Sequence, residues 1–127
     1  MSSLKALNPL LTLQIIAHLS IIPMLCFARV EHYLIALGVY FLTGCLGMSM
    51  TYHRLLSHRS WRPPRGFEVF GTLCGSLGLT GSSLAWTAVH RVHHMEVDST
   101  DDPHSPHFKG FLWTQFFSMH YRPQMTA

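Results

Sequence analysis

Two long uncharged stretches limit what this chain can fold into. Pro9 to Ala28 and Tyr33 to Tyr52 each run for twenty residues without a formal charge. Thr12, Gln14, His18 and Ser20 are the polar interruptions in the first, and Gly and Thr are the weak points of the second. As helices rising about 1.5 Å per residue, each covers roughly 30 Å, the thickness of a bilayer's hydrocarbon layer. The link between them, Arg29-Val30-Glu31-His32, leaves room only for a tight hairpin. The expectation is therefore all-α, an integral-membrane helical hairpin with spans at 9–28 and 33–52 whose outer ends return to one side. A soluble hairpin buried in a larger partner is the other arrangement the pattern allows. The early sequence does not read as a cleaved signal peptide, since Lys5 is its only basic side chain and the apolar run is too long.

Charge is scarce enough to exclude whole classes. Hydrophobic residues make up 48% of the 127 and charged residues 12%, against about 25% charged in soluble proteins. A disordered tail or a highly solvated coiled coil is ruled out. The formal net charge of +3 is too modest and too scattered for a nucleic-acid footprint, so no nucleic-acid partner is expected. Lys5, Arg54, Arg59, Arg62 and Arg65 lie on one side of the expected hairpin and Arg29 alone on the other. The positive-inside rule puts the larger group in the cytoplasm.

Pro63-Pro64 break any helix that continues from the second span. A weakly apolar stretch from Phe67 to Val89 follows, rich in small residues and containing a G-x-x-x-G at Gly71 and Gly75. It is expected as an amphipathic helix on, or dipping into, the cytoplasmic face, with a third span as the alternative. Met95 to Pro106 reads as a His-rich polar loop, and Phe111 to Tyr121 as the start of another apolar helix. Cys26, Cys45 and Cys74 lie in apolar surroundings without a C-x-x-C pair, which argues for small buried hydrophobes and against a disulfide framework or zinc ribbon.

Histidine carries the chemistry. Of ten histidines, five fall in two tight groups: His53 and His58 within H-R-L-L-S-H, and His90, His93 and His94 within H-R-V-H-H. Positions i, i+3 and i+4 share a helix face, so the second group can converge. Adjacent His93 and His94 stand about 100° apart on a helix and suit two neighbouring metals better than one. His53 and His58, at i and i+5, are about 140° apart on a regular helix. They would share a site only where the helix frays or bends. Arg54 and Arg91 stand where a zinc protease needs its general-base Glu, which argues against hydrolysis. Imidazoles beside a bilayer suit a redox metal that activates oxygen. His18, His32, His107 and His120 read as ordinary core or surface residues.

The boxes H-R-L-L-S-H-R-S (His53 to Ser60) and W-T-A-V-H-R-V-H-H (Trp86 to His94) resemble the first two histidine boxes of the integral-membrane fatty acid desaturases, delta-9 type. D-S-T-D-D-P-H-S-P (Asp98 to Pro106) and G-F-L-W (Gly110 to Trp113) are similar to that family's continuation. The resemblance implies a site of two non-haem iron ions that uses O2 to put a double bond into a long acyl chain. The chain would be carried on CoA or a lipid, with electrons from ferredoxin or cytochrome b5. Carried over by position, His53, His58, His90, His93 and His94 would be metal ligands. Trp86 would wall the acyl tunnel, and Asp98, Asp102 and His104 would lie in the outer shell or toward the headgroup. A solvated turn is the other reading of Asp98 and Asp102.

Two departures stand out. Thr114-Gln115 and then Ser118 follow G-F-L-W, where the family has Ser-His and later Trp. A third box, H-x-x-H-H, does not occur before Ala127. The expectation is a partial desaturase domain over 1–127 with little activity alone. A related membrane hydroxylase and a small non-enzymatic metal-binding membrane protein are the alternatives.

Overall fold

The computed structural model describes residues 9–118. Lys5, His120 and the end of the segment expected to reach Tyr121 lie outside them. The described residues contain helices, turns and loops and no strand, in keeping with the all-α expectation. The chain divides into two units, one up to Phe41 and one from Leu42 onward.

In the first unit, α1 spans Pro9–Leu19, α2 Ile21–Phe27 and α3 Val30–Tyr40. Proline suits the first position of α1, because its missing N–H has no helical partner there and its φ is already helical. The expected 9–28 span is interrupted at Ser20, and Pro23 accounts for the break. It has no N–H to offer the Leu19 carbonyl. Ser20 and its neighbours otherwise keep helical bonding, Ser20 N donating to Ile16 O at 2.9 Å and Met24 N to Ser20 O at 3.1 Å. The connection to α3 is tighter than the four-residue link expected. Ala28 turns extended, Arg29 caps α3, and Val30 to His32 already belong to the helix. The Arg29 N–H donates to Nδ1 of His32 at 3.2 Å, so His32 closes a helix start. His18 likewise bonds its own helix, at the Gln14 carbonyl. Ile22, Leu25, Phe27, Leu34 and Ile35 are all exposed, an apolar surface that suits lipid better than water.

Helical backbone runs unbroken over the 28 residues Val30–Ser57, with a mean hydropathy of 1.7. This helix is long and apolar enough to cross a membrane. The preceding apolar helix, Leu11–Phe27, is shorter.

The second unit holds both histidine groups, His53 and His58 with His90, His93 and His94. The helix that leads into it, π1 (Phe41–Ser57), is a π-helix, bonded i to i+5. It is followed by α4 (Arg65–Ser76), α5 (Ser83–Met95), the short α6 (Pro106–Lys109) and π2 (Trp113–Phe117). The stretch 67–89 is thus two helices where one was expected. The reason is local: Leu79 and Gly81 take positive φ, 56° and 93°. Ser82 then caps α5 by accepting the Ala85 N–H at 3.2 Å.

Small residues set the packing of α4 on π1. A Cβ on Gly47 would strike the backbone at Gly75, one on Gly71 would strike the Thr51 side chain, and one on Gly75 would strike the Tyr52 ring. The G-x-x-x-G of α4 is therefore a contact surface. Beneath it Thr51 and Tyr52 are fully buried, alongside Cys74 and Val89. The Tyr52 hydroxyl donates to the Thr72 carbonyl at 3.4 Å, and its ring meets Trp86 of α5 at 5.8 Å. Trp113 Nε1 donates to the Pro103 carbonyl at 3.2 Å, tying π2 to the polar loop.

Candidate metal centre

The π register solves the problem posed by His53 and His58. In i to i+5 bonding each turn takes in more residues than in an α-helix, which swings residue i+5 back toward the face that carries residue i. The backbone bond in question joins these two residues, His58 N donating to His53 O at 3.0 Å. Their rings meet edge to face with centroids 4.6 Å apart. The expected fraying is thus replaced by a wider helix. Hydroxyls follow the same register, Thr51 Oγ1 donating to Leu46 O and Ser57 Oγ to Tyr52 O, each at 2.8 Å.

On α5, His90 and His94 sit one α-turn apart, with Nε2 to Nε2 at 3.1 Å. His90 lies 4.8 Å from His53, and His94 lies 4.6 Å from His58, ring centre to ring centre. One ligand nitrogen from each of His53, His58, His90 and His94 falls within 4.8 Å of all the others. Metal–imidazole bonds of about 2.0–2.1 Å put two ligands of one ion at most about 4.2 Å apart. The most widely separated pair must therefore close by about 0.6 Å or more for all four rings to hold one ion. His90 is well suited to stay neutral: burial, followed by the neighbouring His53, His94, His58 and His93, lowers its pKa to about 4. Trp86 stacks on the His90 ring at 4.5 Å and 17°, which restricts its rotation.

His93 lies outside this foursome. It turns toward the loop, where its Nδ1 meets Asp102 Oδ1 at 2.8 Å. Asp102 is fully buried and accepts two further bonds, from the backbone N–H of His104 at 2.8 Å and of Asp98 at 3.0 Å. Burial pushes its pKa up, but the hydrogen bonds from His93, His104 and Asp98 outweigh that and hold it below the usual carboxylate value. His104 packs 5.5 Å from His93; burial, reinforced by His93 and opposed by Asp102, lowers its pKa. Asp98 is an exposed turn residue at φ 55°. The two loop carboxylates thus part company, Asp102 against a box histidine and Asp98 at the turn. His107 is exposed on α6 beside Phe108, away from the foursome.

In the sequence Arg91 stands only where a zinc protease would need a Glu. In the structure it ties the two boxes together. Its Nη2 donates to the Leu56 carbonyl at 2.9 Å and its Nε to the Ser57 carbonyl at 3.3 Å. Those are orphan carbonyls at the end of π1, where a cation is favourable. No spacing rule announces such a contact.

The model of the fatty acid desaturase family matches residues 31–127. The chain belongs to the fatty acid desaturase family. It is 42% identical over 80 residues to the sn-1 stearoyl-lipid 9-desaturase of Anabaena variabilis, covering 63% of this chain and 29% of that protein. It is 43% identical over 83 residues to delta-9 acyl-lipid desaturase 1 of Arabidopsis thaliana, covering 62% and 27%. An acyl-CoA 5-desaturase of Anemone leveillei is 37% identical over 83 residues, covering 65% and 26%. The chain thus spans less than a third of the length of these relatives. No solved structure matches it. Fatty acid desaturases are oxidoreductases of lipid metabolism that use iron, and the four clustered imidazoles of this member are a donor set that iron accepts.

Proposed function

We propose that these residues supply the first two histidine boxes of a membrane di-iron oxidoreductase that places a double bond in a long-chain fatty acyl group. The observation that carries this reading is the gathering of His53, His58, His90 and His94 nitrogens within 4.8 Å in a chain of the desaturase family. Two iron ions, when bound, would pass electrons from ferredoxin or cytochrome b5 to O2 and supply the oxidant that takes hydrogen from an unactivated C–H bond. The acyl group would be esterified to a lipid or to CoA, as the names of the relatives suggest.

The chain's own residues would do the holding and orienting. The foursome would bind with neutral rings. His93 would present Nε2 to the second ion while Asp102 keeps its Nδ1–H engaged, the usual way a carboxylate fixes the tautomer and direction of a ligating imidazole. Trp86 would steady His90 and wall the acyl chain. Asp98 and His104 would frame the Asp102 carboxylate, one by its backbone N–H and the other by its N–H and ring. The apolar segments 9–28 and 33–52 would cross the bilayer as a hairpin, with both boxes on the cytoplasmic side beside Arg54, Arg59, Arg62 and Arg65. Five imidazoles are few for two ions, so residues 1–127 alone would show little desaturase activity.

Anaerobic titration of the chain with ferrous iron, followed by metal analysis and Mössbauer spectroscopy, tests the site. Uptake is expected in the wild type and lost in His90→Ala/His94→Ala. Equal uptake by that double variant would overturn the ligand assignment. New acyl unsaturation in cells supplied only with these residues would overturn the need for further ligands.

A further inference from the structure

A second site lies between the end of π1, α4 and the first half of α5. It is a cavity of about 490 Å³, within the range of about 300–1,000 Å³ common to small-molecule pockets. Leu84, Thr87 and Arg91, spaced by three and four, line it from one strip of α5.

Its charge is one-sided. Arg59, Arg65 and Arg91 face a single carboxylate, Glu68, and that carboxylate is already paired with Arg65 at 2.7 Å. Arg91 directs two N–H groups to the carbonyls of Leu56 and Ser57. Arg59 is exposed, and its guanidinium has no hydrogen bond or ion pair among the described residues. Both flanking helices open here: Arg65 is the first residue of α4, and Ser83 and Leu84 are the first two of α5. Helix starts add partial positive charge. Thr87, on the same wall, has a buried hydroxyl with no partner among the described residues. Thr72 also lines it, its hydroxyl donating to the Glu68 carbonyl at 2.7 Å, and Leu56, Val69, Leu73 and Leu84 supply the apolar wall.

We propose that this cavity binds a phosphate group carried on an apolar chain. The surplus of guanidinium over carboxylate matches the charge of roughly −1.5 to −2 of a phosphate monoester better than the single charge of a carboxylate. Guanidinium forks suit phosphate oxygens, and the leucine and valine side chains offer the attached chain a dry wall. The phosphate could come from a lipid headgroup or from a soluble molecule.

Calorimetry on the chain in dodecyl maltoside with EDTA tests the proposal, using dihexanoyl phosphatidic acid and, separately, inorganic pyrophosphate. Saturable one-site binding of the short-chain lipid is expected. Arg59→Gln should weaken it about tenfold, the loss of one charge-assisted bond, because this side chain has no other partner to lose. Glu68→Gln should tighten it, and Lys109→Gln, outside the cavity, should leave it unchanged. Binding of pyrophosphate as well would assign a soluble source, and binding of the lipid alone a headgroup. No saturable binding of either, or equal weakening by Arg59→Gln and Lys109→Gln, would overturn the site. The measurement is made without metal, so its failure would leave the iron reading standing, and failure of iron uptake would leave this site standing.

Discussion

The two histidine boxes reach one point by different helical geometries. The second uses the ordinary α-turn, His90 and His94 being four apart on α5. The first uses a π-turn, His53 and His58 being five apart and joined by a backbone bond of 3.0 Å. The α-turn places its pair by local geometry alone. The π-turn belongs to a seventeen-residue element that packs on α4 through glycines and is gripped at its end by Arg91. The lesson is that a spacing unsuited to one helix type is ordinary in another, provided tertiary contacts hold the unusual register.

The largest expected effect asks whether the boxes are equal partners. Metal-site free energies of about 10–16 kcal/mol shared over four ligands put the loss of one imidazole near a hundredfold or more in iron affinity. His58→Ala and His94→Ala should therefore weaken ferrous binding alike, by competition against a chelator. A loss confined to His94→Ala would break the comparison and leave the π-helical box without a role.

Next in size is the buried carboxylate that the first box lacks. Asp102→Asn removes the acceptor held 2.8 Å from His93 Nδ1. Outer-shell partners of this kind are worth about 10–100-fold in metal affinity or activity. The loss should appear in iron binding while far-ultraviolet circular dichroism stays unchanged. Unchanged affinity would mean that His93 ligates nothing.

Packing of the π-helix gives a smaller effect. In Gly75→Ala the new methyl would strike the Tyr52 ring, and overpacking of this kind costs about 1–3 kcal/mol. The thermal midpoint of the chain in detergent should fall, and iron affinity with it, since box one rides on the same element. Gly66→Ala, with nothing within 4 Å of the added carbon, should change neither. A tolerated Gly75→Ala would show that the π register stands without α4.

The smallest effect is a pH dependence of the metal-free chain, centred on box two. His90 falls from 6.5 to about 4 on folding, chiefly through burial. Between those values the unfolded chain holds more protons at this ring than the folded one. Stability therefore rises with pH across the window and is lost as pH falls from 6.5 toward 4. His90→Gln should flatten thermal midpoints measured from pH 7 to pH 4. An unchanged slope would place the titration elsewhere.

Much of this was legible in the residues. The H-x-x-H-H spacing placed His90 and His94 together because α-helical periodicity is a local property. The uncharged run from Tyr33 marked the long apolar helix, Val30–Ser57. Other features were hidden. The break at Leu77 to Ser82 follows from Gly81 and the Ser82 cap, yet the same small residues also read as helix-packing positions. The divergence of Asp98 and Asp102 was undecidable, since four residues of loop can turn either side chain inward.

The amino-acid order by itself determined the helical character, the scarcity of charge and the supply of imidazoles, because each depends on residue type and near-neighbour spacing. Only the tertiary structure decided that His53 and His58 coincide, that Asp102 and not Asp98 meets His93, and that Arg91 joins the boxes. Those outcomes depend on which backbone register survives when Gly47, Gly71 and Gly75 let two helices touch. That balance is struck between segments distant in sequence.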